Sequence, residues 1–230
     1  MRHALILADG AIPARAQLDW AWPEWAAGIQ LVVAADGGAR HARALGFRVD
    51  LWVGDGDSIG ADELDALAAA GVAMHRAPEY KDESDSELAL LASIADGADA
   101  VTILGALGGP RIDHALANVG LLSHPALAGL PAWLYDERAS RISLLTAPDA
   151  TGHAVTRRLE GRTDDLVSLL PAGVDALGVT TEGLRFPLAA ETLVLGRSRG
   201  VSNVRIGPVA RITLESGRLL VIETPANLRR

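Results

Sequence analysis

The chain has 230 residues, of which 29 are acidic and 21 basic, giving a formal net charge of -8, and it contains no cysteine. Disulfides, thiolate metal sites and a catalytic thiol are therefore excluded, and the acidic balance makes nucleic acid an unfavourable partner. No apolar run is long enough to cross a bilayer, and the N-terminus is typical of a first strand and not of a signal peptide. We expect a cytoplasmic protein that binds neither nucleic acid nor membrane.

The first part of the chain alternates strand-like and helix-like segments. Short apolar runs without polar alternation are typical of strands that are covered on both faces of a parallel sheet. Such runs occupy residues 3–8, 31–35, 51–53, 72–76, 100–105 and 132–136.

Between these runs, apolar residues at helical spacing predict three helices. The residues expected to face inward are Leu64, Leu67 and Ala68, then Leu88, Leu91, Ala92 and Ala95, and then Leu116, Val119 and Leu122. The alternation of strand and helix predicts a doubly wound, mainly parallel α/β domain over residues 1–140.

The pattern changes after about residue 140. Short segments rich in valine, leucine, isoleucine and threonine follow one another, separated by glycine, proline, asparagine or aspartate, and no long helical stripe remains. This texture predicts an all-β sandwich or flattened barrel over residues 141–230. We expect the boundary between the domains near residues 136–143.

Two aspartates, Asp55 and Asp57, directly follow the apolar run 51–53 and flank a glycine, with Gly54 before them. At about 4 Å and an effective dielectric of about 20, two such charges repel by roughly 4 kcal/mol. Mg²⁺ prefers carboxylate oxygens together with the oxygens of a substrate phosphate, so a bound cation would relieve the repulsion. The alternative is a solvated turn in which both carboxylates face water.

A second acidic cluster, Asp82, Glu83 and Asp85, precedes the helix expected from about residue 86. Lys81, the only lysine of the chain, directly precedes this cluster. Capping by Asp85 or Ser86 accounts for one acidic residue at a helix start, but not for three carboxylates beside the sole lysine. Because the cluster follows the run 72–76, it is expected at the same carboxyl-side edge of the sheet as the first pair.

Two further loops at this edge are rich in glycine. ADGGAR follows the second strand, and GALGGPRIDHALAN follows the fifth. Glycines allow close backbone approach to a ligand, although tight turns are the alternative, and Arg111 offers a fork suited to phosphate. Neither loop matches the phosphate-loop or dinucleotide-binding pattern, which disfavours those two classes. A phosphorylated ligand held with a metal is the favoured interpretation.

Five segments then occur in the order found in thiamine pyrophosphokinases, and the chain closely resembles that family from about residue 4 to residue 224. They are ADGGAR, GDGDSI, KDESDSELAL, GALGGPRIDHALAN and SRGVSN. The resemblance implies an α/β domain, a C-terminal β domain and a homodimer whose active sites form between subunits. It also implies that a pyrophosphoryl group passes from ATP to the hydroxyethyl oxygen of thiamine, with Mg²⁺ as cofactor, giving thiamine diphosphate and AMP.

The resemblance also assigns site residues by motif position. The acidic, magnesium-associated positions are Asp55, Asp57, Asp82 and Asp85. The nucleotide-side positions are Asp36, Gly37, Gly54, Gly105, Gly108, Gly109, Arg111, Asp113, His114 and Asn118. The thiamine-side positions are Thr181, Ser198, Ser202 and Asn203. Lys81 and Arg111 are expected to stabilise charge as AMP leaves, and Asp82 or Asp57 to accept the hydroxyl proton.

Two departures from the family pattern stand out. Pro110 lies between the double glycine and Arg111, and no aromatic residue follows Phe186. An aromatic wall for thiamine would come from Phe186, Tyr135, Trp52 or the tryptophans of LDWAWPEW, which also suit packing. The missing aromatic keeps open a pyrophosphokinase for another hydroxyalkyl heterocycle, such as a pterin. A non-catalytic sensor of nucleotide or thiamine diphosphate is the third alternative.

Overall fold

A computed structural model describes residues 2–127, 129–147 and 153–228. The chain divides into two compact units, Met1–Ala139 and Ser140–Arg230. Among the described residues, no helix combines the length and the apolar character needed to span a membrane.

In the part of the N-terminal unit that the structure describes, six strands pair in parallel in the order β6-β5-β1-β2-β3-β4. Their bounds are β1 His3–Leu7, β2 Ile29–Ala35, β3 Leu51–Gly54, β4 Ala73–Arg76, β5 Ala100–Leu104 and β6 Ala132–Tyr135. Every side chain of β1 and β5 is buried, as expected for strands with elements on both faces. The strand order reverses between β1 and β5, and the crevice at such a switch point is where open α/β sheets bind ligands.

Four α-helices lie among the described residues of this unit: α1 Arg15–Ala21, α2 Ala61–Ala69, α3 Asp85–Ala95 and α4 Ile112–Gly120. The three predicted helices exist as α2, α3 and α4, and the expected strands occupy the expected segments. The predicted α/β class is therefore confirmed, together with the mainly parallel sheet.

The inward face predicted for α3 was wrong. The buried residues are Ser86, Ala89, Leu90 and Ser93, whereas Leu88, Leu91 and Ala92 are half-buried and Ala95 is exposed. Helix α3 packs against β1, β2 and β3, and small side chains let its backbone approach the sheet. The hydroxyl of Ser93 donates to the carbonyl of Ala89 at 2.7 Å, so its burial leaves no polar group unpaired.

The inward face predicted for α4 was also largely wrong. Leu116 is 67% exposed and Ile112 73%, and Val119 is half-buried. Only Asn118 is buried within the helix, while Leu122 is buried just beyond its end. The apolar stripe of α4 therefore faces away from the core of this chain.

The C-terminal unit is antiparallel. Its strands are β7 Arg141–Ala147, β8 Val155–Glu160, β9 Leu166–Pro171, β10 Ala176–Glu182, β11 Glu191–Leu193, β12 Asn203–Val204, β13 Val209–Leu214 and β14 Gly217–Thr224. They form two groups, β12-β9-β14-β7 and β11-β10-β13-β8. Strand β14 alternates buried and half-buried residues, and its Leu219 and Val221 share one core with Ile212 and Leu214 of β13. This arrangement confirms the predicted β sandwich.

Candidate active site

Asp36 is the most constrained residue at the carboxyl edge of the N-terminal sheet. It follows β2 and opens a short 3₁₀ helix, Asp36–His41, with a φ of +43°, a region that non-glycine residues rarely occupy. Its side chain is buried, its carboxylate accepts from the backbone N–H of Ser58 at 2.9 Å, and its main-chain carbonyl accepts from Trp52 Nε1 at 3.1 Å. A side chain at Gly54 would stand 3.0 Å from Asp36 Cβ, so the glycine provides the room. Backbone strain of this kind concentrates at functional sites.

Three carboxylates meet at this point. One oxygen from each of Asp36, Asp55 and Asp57 lies within 4.8 Å of the others. Among the described residues, Asp36 Oδ1 is buried without a hydrogen-bond partner. Burial raises the pKa of Asp36 to about 6, and the neighbouring Asp57 and Asp85 carboxylates add to the rise, although the hydrogen bond from Ser58 opposes it. Burial and like charge thus both disfavour the ionised form of Asp36.

The donor set of this cluster suits a hard divalent cation. All three groups offer carboxylate oxygen, and the unpartnered oxygen of Asp36 has no donor to release when a cation arrives. Asp55 and Asp57 were expected to come together from their spacing, and the structure brings them together. Asp36 was expected on the nucleotide side, and its place beside them was not predicted.

Lys81 joins the cluster to α3. Its ammonium lies 2.8 Å from Asp55 Oδ2 and 2.8 Å from Asp85 Oδ1, and its side chain is only 11% exposed. Burial by itself lowers the pKa of Lys81, but the two carboxylate partners outweigh burial and raise it. The hydrogen bond from Lys81 in turn lowers the pKa of Asp55. The only lysine of the chain thus stands between two of the predicted metal ligands.

The remaining acidic positions of this loop are placed differently. Asp82 is exposed and is not one of the three carboxylates of the cluster. Asp85 is the first residue of α3, and the capping hydroxyl belongs to Ser84, which accepts from the N–H of Glu87 at 3.2 Å. The expectation that Asp85 or Ser86 caps the helix was therefore wrong. Because Ser84 performs the capping, Asp85 is left to pair with Lys81.

Glycines bring the ends of β1 and β5 together at the switch point. The N–H of Gly10 donates to the carbonyl of Gly105 at 2.9 Å, and Gly108 pairs with Ala11. Gly105 has a φ of +74° and a Cβ there would collide with the carbonyl of Ala8. A cleft of about 430 Å³ opens here. It is lined by Leu107, Gly108, Gly109, Asp136 and Glu137, of which the two acidic residues were not predicted.

The nucleotide-side residues of the following loop are mostly at the surface. Arg111 and Asp113 form an exposed ion pair at 2.5 Å, and the hydrogen bond from Arg111 lowers the pKa of Asp113. His114 is also exposed. Asn118 is buried, and its amide donates to the carbonyl of Ala106 at 2.8 Å. Because Ala106 follows Gly105, this hydrogen bond stabilises the glycine loop.

The thiamine-side residues of the C-terminal unit divide into two kinds. Ser198 and Ser202 are exposed, whereas Thr181 and Asn203 are buried. The hydroxyl of Thr181 accepts from the N–H of Leu188 at 2.9 Å. Thr181 is thus already committed to the fold of its own unit.

Asn203 holds Phe186 in place. Its Oδ1 accepts from the N–H of Phe186 at 3.0 Å and its Nδ2 donates to the carbonyl of Phe186 at 2.6 Å. Phe186 is 57% exposed, whereas Trp52 and Tyr135 are buried and cannot present a ring to a ligand. Of the tryptophans in LDWAWPEW, Trp22 and Trp25 are buried and Trp20 is 46% exposed. Burial therefore removes four of the six aromatic walls that the sequence left open.

The fold and this geometry define a class: an α/β protein with a carboxylate cluster and glycine loops at the carboxyl edge of a parallel sheet, followed by an antiparallel β unit. The model of the thiamin pyrophosphokinase catalytic domain matches residues 23–134, and that of the thiamin pyrophosphokinase vitamin B1 binding domain matches residues 153–219. The chain belongs to the thiamine pyrophosphokinase family, as its motifs indicated.

Individual relatives agree with the family models. The thiamine pyrophosphokinase of Bacillus subtilis (strain 168) is 28% identical over 171 residues, which are 74% of this chain and 76% of the relative. A crystal structure of thiamine pyrophosphokinase from Bacillus subtilis matches with a TM-score of 0.81 at 24% identity, covering 97% of this chain and 99% of the other. Thiamin pyrophosphokinase from Candida albicans matches with a TM-score of 0.72 at 16% identity, covering 97% and 89%. The likeness to the two solved structures supports the same fold.

Proposed function

We propose that this protein is a Mg²⁺-dependent thiamine pyrophosphokinase, which moves a pyrophosphoryl group from ATP to the hydroxyethyl oxygen of thiamine and releases AMP. The observation that carries the proposal is the cluster of Asp36, Asp55 and Asp57 around an unpartnered, buried carboxylate oxygen, in a chain of this family. The N-terminal unit is the nucleotide and metal unit, and the C-terminal unit contributes to the thiamine site.

Asp36, Asp55 and Asp57 would hold the cation, with Asp85 close by through Lys81. When bound, Mg²⁺ neutralises charge on the triphosphate and orients it for in-line attack. Lys81 already lies against Asp55, so a triphosphate at the cluster has an ammonium beside it to stabilise the charge that develops on the departing AMP.

Transfer to an alcohol also requires a group that accepts the hydroxyl proton. Asp57 lies inside the cluster and its carboxylate accepts from the hydroxyl of Ser58 at 2.9 Å. Asp82 stands outside the cluster and is exposed. A carboxylate that holds a cation is not free to accept the proton, and we therefore assign the proton acceptor to Asp82 in preference to Asp57.

Phe186 is the aromatic surface that best suits thiamine. It is exposed, and both polar atoms of the Asn203 amide fix its backbone. An exposed ring on a fixed backbone can offer a face to the flat, positively charged thiazolium, an arrangement that stabilises a cation by about 0.5 to 2 kcal/mol. Asn203 is thus a positioning residue for the ring rather than a direct ligand.

The protein works as a homodimer with sites between subunits, and the exposed apolar residues Ile112 and Leu116 of α4 offer a surface for the second copy. It acts in the cytoplasm, where ATP is supplied.

The direct test is to incubate the purified protein with ATP, Mg²⁺ and thiamine and to separate the nucleotide products. Formation of AMP and thiamine diphosphate in equal amounts supports the proposal. Formation of ADP, or of no product, overturns it. A parallel reaction with a hydroxymethyl pterin in place of thiamine identifies the alternative acceptor. Tight thiamine diphosphate binding without turnover would instead indicate a sensor.

A further inference from the structure

Arg40 is a cationic residue of the site for which the sequence predicted no role. It lies in the 3₁₀ helix that Asp36 opens, after β2 at the carboxyl edge of the sheet. Its Nη1 lies 3.1 Å from Asp9 Oδ1, beyond the end of β1, and its Nη2 donates to the carbonyl of Ser58 at 2.8 Å. One guanidinium thus ties together the segments that follow β1, β2 and β3.

Ser58 connects Arg40 directly to the carboxylate cluster. Its backbone N–H donates to Asp36 Oδ2 at 2.9 Å, its hydroxyl donates to Asp57 Oδ1 at 2.9 Å, and its carbonyl accepts from Arg40. The guanidinium is therefore one residue away from two of the carboxylates that would hold the cation. A phosphate chain held by a cation at those carboxylates would therefore have this guanidinium as a neighbour.

The guanidinium is fixed in place and still open to a ligand. A Cβ on Gly37 would stand 2.8 Å from Arg40 Nη2 and 2.7 Å from Asp9 Oδ1, so the glycine makes room for the pair. The side chain of Arg40 is nevertheless 46% exposed. A guanidinium has five N–H donors, and the contacts of Arg40 with Asp9 and Ser58 use only some of them, so donors remain for an anion.

Arg111, the arginine that the motifs suggested for phosphate, is placed less favourably. It is 65% exposed and pairs with Asp113, only two residues further along the chain. That pair joins neighbouring residues at the start of one helix, whereas Arg40 spans three strand ends. An arginine that is already held in one orientation loses less conformational entropy when it binds.

We propose that Arg40 binds the triphosphate chain of the nucleotide and that Asp9 and Gly37 position its guanidinium for that contact. The inference rests on the proposed function, because it takes the cation site at Asp36, Asp55 and Asp57 as the place where the triphosphate binds. It adds a phosphate-binding residue that contacts the segments following β1 and β3, in addition to Lys81, which reaches Asp55 from the loop that precedes α3.

The test is equilibrium binding of the full chain, in the presence of Mg²⁺, to ATP, to inorganic triphosphate and to adenosine. Arg40→Gln is expected to weaken ATP and triphosphate binding roughly ten- to hundredfold, since a hydrogen bond to a charged group is lost, and to leave adenosine binding unchanged. Arg43→Gln, an exposed arginine three residues further on, serves as the matched control and should bind like the wild type. Arg40→Gln with wild-type affinity for triphosphate would overturn the proposal.

A double variant separates a phosphate contact from an unbalanced charge. Removing Arg40 leaves the carboxylate of Asp9 without this partner, and that charge alone would repel a triphosphate. If Arg40 contacts phosphate, Asp9→Asn added to Arg40→Gln leaves binding weak. If the double variant regains wild-type affinity, the contact does not exist and the proposal is overturned.

Two further measurements ensure that the titrations can be interpreted even if Arg40→Gln is unstable or the wild type is inactive. If Arg40→Gln unfolds at too low a temperature to be titrated, Arg40→Lys is used in its place. Triphosphate binding at least about threefold weaker than in the wild type supports the proposal, because an ammonium cannot reproduce the planar fork of a guanidinium. Unchanged affinity overturns it. Product analysis of the wild type is independent of these titrations. A wild type that binds ATP but makes no AMP contradicts the proposed function, while the titrations still decide on Arg40.

Discussion

At the scale of single residues, Asp36 combines burial, an unfavourable backbone conformation and two neighbouring carboxylates. Each of these features costs stability in the free protein, and together they produce an oxygen that a cation would satisfy. Proteins commonly lose stability at the positions where they bind and react. The site of this protein shows that compromise at the level of one side chain.

Asp36→Asn is predicted to stabilise the protein at pH 8 and to abolish formation of AMP. The pKa of Asp36 is about 6 in the fold against 3.8 in the unfolded chain, so the native state is penalised as pH rises from 3.8 to 6 and carries the full penalty above 6. Removing the charge should therefore raise the free energy of unfolding by about 1 to 3 kcal/mol at pH 8 and by little near pH 4. Thermal unfolding at both pH values measures this. Asp65→Asn, on the exposed side of α2, is the control.

Equal stability of Asp36→Asn and wild type at pH 8 would contradict this account of the cluster. So would a gain that is larger at pH 4 than at pH 8, because the sign of the pKa shift requires the opposite order.

Lys81→Met is predicted to bind Mn²⁺ more tightly than the wild type when no nucleotide is present, and to lose catalytic activity. The ammonium of Lys81 lies on Asp55 and Asp85 and competes with any cation that approaches them. Removing it should increase metal affinity by about tenfold, given the repulsion between like charges at a few ångströms in a partly buried site. Isothermal titration measures the affinity, and Lys81→Arg keeps the charge as the control. Weaker metal binding by Lys81→Met would show that the lysine supports the site and does not compete for it.

At the scale of elements, the pattern of apolar residues predicted α2, α3 and α4 but not the short α1, and it did not predict which faces of α3 and α4 are buried. In α3 the buried positions include Ser86, Ala89 and Ser93, because close approach to the sheet favours small side chains over large ones. Hydrophobicity alone ranks Leu88 and Leu91 above them. The pattern also failed to predict the buried face of α4, whose apolar residues do lie on one side of the helix but do not face the core of this chain.

Leu116→Glu is predicted to convert a dimer into a monomer. Ile112 and Leu116 are one helical turn apart and both exposed, and a two-fold contact places the same patch of each copy against the other. A charge at Leu116 would be buried in that contact without a partner. Light scattering during gel filtration gives the mass, and Ala117→Glu, on an exposed position beside the stripe, is the control. A wild-type monomer, or a Leu116→Glu variant that remains a dimer, contradicts the prediction.

At the scale of the whole molecule, the α/β unit, the β unit and the family were predictable from the sequence. The positions of Asp55 and Asp57 were predictable too, because residues at the end of a buried strand have a fixed place. The burial and positive φ of Asp36, the link through Arg40 and the burial of Tyr135 were not predictable, since each depends on contacts between segments far apart in the chain. Of the aromatic residues that the sequence suggested as contacts for thiamine, only Phe186 and Trp20 are exposed, and the sequence alone could not distinguish them from the buried ones.

The stability of the C-terminal unit depends on charges buried between its strands. Arg205 and Glu223 are each 1% exposed and pair at 2.5 Å, and Arg141 adds a second pair with Glu223 at 2.6 Å. Glu223→Gln would leave the guanidinium of Arg205 buried without a counter-charge and is predicted to lower the free energy of unfolding by about 3 to 5 kcal/mol. Denaturant unfolding measures the loss. Glu160→Gln, whose partner Arg158 is exposed, should change stability by less than about 1 kcal/mol. A loss of the same size in both variants would contradict this account.

We propose that pyrophosphoryl transfer depends on a divalent cation that Asp36, Asp55 and Asp57 hold together. Electron paramagnetic resonance of Mn²⁺ titrated into the nucleotide-free protein tests it most directly, because bound Mn²⁺ loses the signal of the free ion. We predict saturable binding to the wild type, weakened at least about tenfold in Asp55→Asn and in Asp57→Asn and retained in Asp82→Asn. AMP formation should be lost in the first two for want of the cation, and strongly reduced in Asp82→Asn because the proton acceptor is removed. Binding to Asp57→Asn as tight as to the wild type would contradict the claim.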